Sequence, residues 1–146
     1  MTVIRFHFAD RRVTLLQRGK LKGFLTALFE AEKVSVRELH YVFCSDGYLL
    51  PLNEQFLGHD TFTDIITFVL SEPKQPVVSD VYVSVDRVKE NSAALGVTFT
   101  RELHRVIFHG ALHLCGYGDK TEVEKKRMRK REDYLLSKYF VPRETN

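Results

Sequence analysis

Cysteine is scarce in this sequence: 146 residues contain two, Cys44 and Cys115, too few for a disulfide scaffold. Both sit in apolar runs, where a buried reduced thiol is the ordinary state. Long hydrophobic runs are missing as well. None approaches the roughly 20 residues that cross a bilayer, so no transmembrane helix and no membrane partner are expected. The opening MTVIRFHFADRR lacks the ~7–15-residue apolar stretch of a secretory signal. There is no internal repeat, low-complexity tract or linker. These absences make the cytoplasm the expected location.

What is present describes a folded chain. It is 44% hydrophobic, 28% charged and 12% aromatic, which excludes wholesale disorder. The length suits one domain over residues 1–146. A net charge of +3 is a weak hint of an anionic partner. Its distribution is more telling: residues 125–131 read KKRMRKR, six cations in seven positions. The common reading of such a run is a solvated helix face. Here, however, Lys126 and Lys130, like Arg127 and Arg131, place like charges four residues apart, which is locally unfavourable. A phosphate backbone would neutralise them and release counterions.

Hydrophobic periodicity predicts strands at about 3–8, 38–44, 64–70 and 80–85. The third, DIITFVL, is apolar almost throughout and reads as central. Helices are predicted over 19–32, 86–95, 100–114 and from Thr121 to about Tyr139, with a short one after Ser45 towards Asn53. Thr121 and Glu124 form a capping box at the start of the last helix. The tail Pro142–Asn146 is polar and reads as frayed. Mixed strands and helices without strict alternation indicate an α+β fold, with a small mixed sheet of about four strands packed against helices.

The chemistry concentrates at HGALHLCGYGD, residues 109–119. His109 and His113 are four apart, so on a helix both imidazoles project from one face, one turn apart. Gly116 can end that helix and turn the chain back, which could bring Asp119 to the same point. Two imidazoles and a carboxylate make a three-ligand site with an open fourth position, the catalytic rather than the structural zinc pattern. Chance spacing of two histidines is the competing explanation. Against it, the helix is apolar nearly all round, and buried imidazoles need partners. Gly110 stands where a zinc peptidase carries its glutamate base, which argues against that class. Cys115 points to another side of the helix and reads as core, and His59 reads as a loop residue. His7, His40 and His104 have no partner at useful spacing. Thr63-Asp64 and Asp80 open strands, where a turn bond and a supporting role beside a metal-bound histidine are both open.

Taken together, Leu-Asn at 52–53, TDIITF at 63–68, DVYV at 80–83 and His-x3-His-Leu-x-Gly-Tyr at 109–117 resemble the YbeY family of ribosomal-RNA maturation factors, in order over roughly residues 40–120. The resemblance implies a zinc-dependent, single-strand-specific endoribonuclease with one Zn²⁺ per chain, acting on 16S rRNA of the small ribosomal subunit. It implies a small α+β layer with the metal helix over a mixed sheet. The family's His-x3-His-x5-His triad falls on His109, His113 and Asp119, so the third ligand here is a carboxylate. These three are the expected metal ligands and catalytic residues, although Asp119 could instead be a base beside an incomplete site. Gly118 stands where the family usually has aspartate, and Ser79 where it has glycine. The family's arginine after Leu-Asn corresponds to Leu57, so another cation must grip the phosphate; Lys120, Arg101 and the 125–131 run are the candidates. Tyr117, Phe62 and Phe56 are available for base stacking, though packing is the commoner role for each. Two other readings remain open. One is a non-catalytic, metal-stabilised ribosome-assembly or rRNA-binding factor; the other is a metallohydrolase of a small substrate.

Overall fold

The computed structural model describes residues 1–58 and 61–141. His59 and the tail Pro142–Asn146 lie outside the described residues. Four strands form one mixed sheet: β1 (Val3–Phe8), β2 (Val36–Cys44), β3 (Ile65–Val69) and β4 (Val77–Ser84). Their spatial order is β1-β2-β4-β3, with β1, β2 and β4 parallel and β3 antiparallel to β4. The helices are α1 (Arg18–Ala31), α2 (Asp46–Leu52), α3 (Val85–Leu95), α4 (Phe99–Leu114) and α5 (Glu122–Tyr139). A π-helical turn, Asn53–Leu57, follows α2 directly. The α+β expectation therefore holds.

One expectation fails. β3 is an edge strand, and the central strand next to it is β4. The apolar run in β3 has a different cause from centrality. Ile65 on one face meets α4, while Ile66 and Phe68 on the other pack with Leu49, Leu52 and Tyr82. An edge strand covered on both faces reads as a central one.

The main core lies between the sheet and α1, α4 and α5. Tyr41, Phe43, Val81 and Val83 rise from the strands to meet Leu25, Ile107, Phe108 and Leu136. Tyr41 is fully buried, and its hydroxyl donates to the Ile107 carbonyl at 2.8 Å. Such a bond satisfies both buried groups and fixes α4 over the sheet. Gly110 is what lets α4 approach so closely. A Cβ there would stand 2.8 Å from Ile65 Cδ1 and 3.1 Å from Val81 Cγ1. No helix among the described residues is long and apolar enough to cross a membrane.

Candidate metal centre

α4 begins with Thr98, whose hydroxyl accepts the Arg101 N–H, and runs beneath the core with most of its residues buried. Arg105, His109 and His113 recur every four residues and share one stripe of it. At its end the Tyr117 N–H bonds the Leu112 carbonyl and the Gly116 N–H bonds the His113 carbonyl, both at 3.0 Å. That pair of bonds is the Schellman arrangement, which requires the left-handed residue that Gly116 supplies at φ 92°. The chain turns back there, and Asp119 arrives over the histidines as its spacing predicts.

Asp119 Oδ2 lies 3.3 Å from His109 Nε2 and 3.3 Å from His113 Nε2. One donor atom from each of the three residues lies within 4.8 Å of the others. Each imidazole is held from behind through its other nitrogen. His113 Nδ1–H donates to the Tyr117 carbonyl at 2.8 Å, and His109 Nδ1–H donates to Glu132 Oε2 at 2.5 Å. Both Nε2 lone pairs are thereby presented to the same point, which is how supporting hydrogen bonds prepare histidines for a metal. Ligand bonds of about 2.0–2.1 Å in tetrahedral array put donors about 3.3 Å apart. Both His–Asp separations match that spacing, and two imidazoles with a carboxylate are the right chemistry for a metal ion.

Glu132 sits at the end of the basic run yet is 1% exposed. Burial alone would raise its carboxyl, but the His109 hydrogen bond and the Arg105 charge outweigh burial and hold it below the usual range. Arg105 bonds Glu102 twice at 2.7 Å and Glu132 at 3.1 Å, with Asp64 at 3.6 Å. Burial opposes its charge, but these carboxylates more than compensate, so Arg105 stays firmly protonated. Asp64 is pushed up by burial, against the pull of Arg105 and His109. It supports the centre through Arg105. Thr63 makes a local bond to the Ile65 carbonyl at 3.4 Å. Asp80 takes no part, because it alternates with Val81 and projects from the sheet face opposite α4.

Beside His109 and Asp119 opens a cleft of about 640 Å³. Its far wall is α5, which contributes Lys125, Lys126, Arg129 and Lys130. Of the cations considered for phosphate, the 125–131 run is the one that reaches the centre. Arg101 lines a neighbouring groove instead, and Lys120 is exposed and absent from the lining. The exposed Leu57 closes the π-helical turn. At 118, a side chain would collide with the Glu124 carboxylate, which is already engaged in the Thr121 capping box.

The remaining candidates fall outside the centre. Cys115 is half-buried and packs against the core; burial pushes its thiol up to about 12. His7, His40 and His104 stand apart from the metal-capable group, as expected, but each has a hydrogen-bond partner. His7 Nε2 and His40 Nδ1 are 2.8 Å apart across β1 and β2, and His104 Nδ1 donates to the Thr100 carbonyl at 2.7 Å. Cross-strand pairing leaves no trace in sequence spacing, so the first pair could not be read. Arg105 and Glu132 were also missed. Arg105 lies one turn before His109, and Glu132 falls on the apolar face marked by Met128, Leu135 and Leu136. That second pattern was a usable signal of a buried acid.

A family model described as "Endoribonuclease YbeY" matches residues 9–140. A protein named endoribonuclease YbeY from Cytophaga hutchinsonii is 48% identical over 134 residues, covering 92% of this chain and 94% of its own. Its namesake from Porphyromonas gingivalis is 46% identical over 136 residues, covering 93% and 89%. A solution structure of a Thermotoga maritima protein superposes with a TM-score of 0.58 at 27% identity, covering 96% of this chain and 89% of that one. Matched by the family model over residues 9–140 and by these relatives over most of their length, the chain belongs to the endoribonuclease YbeY family.

Proposed function

We propose that this chain is a zinc-dependent endoribonuclease that cuts single-stranded RNA. Its ribosomal role, in late maturation of the small subunit and processing of the 16S rRNA 3′ end, is carried over from the family resemblance. The observation that carries the catalytic reading is one juxtaposition. His109, His113 and Asp119 converge on a point beside a cleft walled by Lys125, Lys126, Arg129 and Lys130. A small neutral substrate has no use for that wall, whereas a phosphodiester strand does.

His109 and His113 would hold the ion through Nε2 and Asp119 through a carboxylate oxygen, one ion per chain. The ion, when bound, supplies Lewis-acid polarisation of the scissile phosphate and of the attacking oxygen. The protein supplies the rest. Glu132 and the Tyr117 carbonyl keep both imidazoles oriented. Arg105 is saturated by three carboxylates and cannot clamp the substrate. Arg129 lines the cleft, is 56% exposed along its side chain and approaches the Glu132 carboxylate only at 4.0 Å; it is the arginine placed to grip a phosphate with two parallel bonds, with the three lysines neutralising its neighbours.

The test is cleavage of single-stranded RNA by zinc-loaded protein beside His113→Ala, with the zinc content of both measured by elemental analysis. We expect about one zinc per chain in the wild type, and cutting lost in the variant. Zinc without cutting would instead support the non-catalytic rRNA-binding factor, with Leu57 as the missing clamp. No zinc in the wild type would overturn the metal centre itself.

A further inference from the structure

α5 separates two clefts. The second, about 220 Å³, opens on its other flank and is lined by Tyr117, Arg127, Lys130, Arg131 and Tyr134. Lys130 lines both, so the clefts adjoin across the crest of the helix. Nothing in the reaction above uses the second one.

Its composition is specific. The Arg127 guanidinium lies 4.6 Å over the Tyr117 ring, and that of Arg131 lies 4.7 Å over the Tyr134 ring. The Tyr117 hydroxyl donates to both oxygens of Glu32 at 3.2 Å, and Arg131 bonds the same carboxylate at 3.2 Å. That shared carboxylate fixes one ring and one guanidinium together. Tyr134 is 46% exposed, so the core does not require an aromatic ring there. No acidic side chain lines the cleft among the described residues. Flat aromatic and guanidinium surfaces under a positive potential suit a flat group tethered to a polyanion. A bare phosphate would use the cations but not the rings. Unstacked nucleobases use both, stacking on tyrosine faces and arginine planes alike.

We propose that this second cleft is a base-stacking subsite. It holds a nucleobase of the same single strand whose phosphodiester lies in the metal cleft, and the strand crosses α5 over Lys130. The proposal rests on the endoribonuclease reading. It predicts a preference for unpaired RNA, since a base held in a duplex cannot reach these rings.

The experiment measures binding of zinc-loaded, full-length protein to a cleavage-resistant 2′-O-methyl RNA. A strand of about 12 nucleotides is within the ~4–16 that single-strand sites span. Fluorescence anisotropy reads the affinity, with the strand checked intact afterwards. Tyr134→Ala should weaken binding about tenfold, the loss of one stacked base, while Tyr134→Phe should bind like the wild type. Abasic residues placed one by one along the strand should weaken wild-type binding in one window and have no such effect on Tyr134→Ala. Equal binding by wild type and Tyr134→Ala, or an abasic scan without a window, would overturn the subsite and leave the nuclease reading intact. Failure of the wild type to bind RNA at low salt would overturn the reading and the subsite together.

Discussion

Glutamine at position 132 would keep an acceptor for the His109 N–H while removing the carboxylate charge. The substitution isolates what that charge does for the imidazole. We expect Glu132→Gln to weaken zinc binding about 10-fold or more, the usual range for partners of metal-bound histidines, as read by titration against a competing chelator. Unchanged affinity would mean that orientation alone suffices. At this scale the sequence was partly legible. His109, His113 and Asp119 could be read because a helix followed by a glycine turn makes their convergence a matter of local geometry. Arg105 and Glu132 could not be read the same way, because their contact joins two helices 27 residues apart in sequence. The absence of aspartate at 118 has a local explanation here, since the capping carboxylate of Glu124 occupies that space.

At the scale of elements, α4 carries the histidines and its depth over the sheet sets their position. That depth depends on Gly110, packed against Ile65 and Val81. Val81 is fully buried and Ile65, though only partly buried, is packed against the core, so an added methyl pushes the helix outward. Gly110→Ala should therefore cost about 1–3 kcal/mol in urea denaturation despite the better helix propensity of alanine, and should lower zinc content as well. Stability equal to or above wild type would show that the side chains yield instead. Element boundaries were largely legible, since caps and periodicity are local: the Thr121–Glu124 capping box forms as expected. Sheet order was not. An apolar strand reveals that both its faces are covered but not its neighbours, and β3 is covered at the edge.

For the molecule as a whole, His104 is one of the groups that link stability to pH. Its ring stacks on Tyr139 with centroids 5.1 Å apart, its Nδ1–H is given to Thr100, and its Nε2 is buried without a partner among the described residues. Burial holds its pKa below the ordinary value, against a smaller raising effect of the Thr100 bond. The native state therefore keeps this imidazole neutral, while the unfolded chain takes up a proton near pH ~6.5. The unfolded state binds more protons between the two pKa values, so stability rises with pH there. The contribution is complete above about pH 6.5 and is lost as pH falls from there through the lower folded-state pKa. His104→Phe should reduce the difference between urea midpoints at pH 7.5 and pH 5.5. An unaltered difference would place the acid sensitivity elsewhere.

The charges gathered at the centre also impose an order of events. Asp64, Glu102 and Glu132 set three carboxylates around the guanidinium of Arg105, and Asp119 adds a fourth over His109. Of these, Asp119 and Glu132 line the cleft opposite the cationic wall, and without a cation their charge, backed by Asp64 and Glu102, opposes a phosphate moving from the wall to the histidines. A divalent ion nearly cancels that excess. Loading must therefore come before productive engagement of the strand: the apoprotein can tether RNA along α5 but cannot draw a phosphate inward. RNA affinity should accordingly rise on adding zinc to the wild type, and much less in Asp119→Asn, where part of the repulsion is already gone.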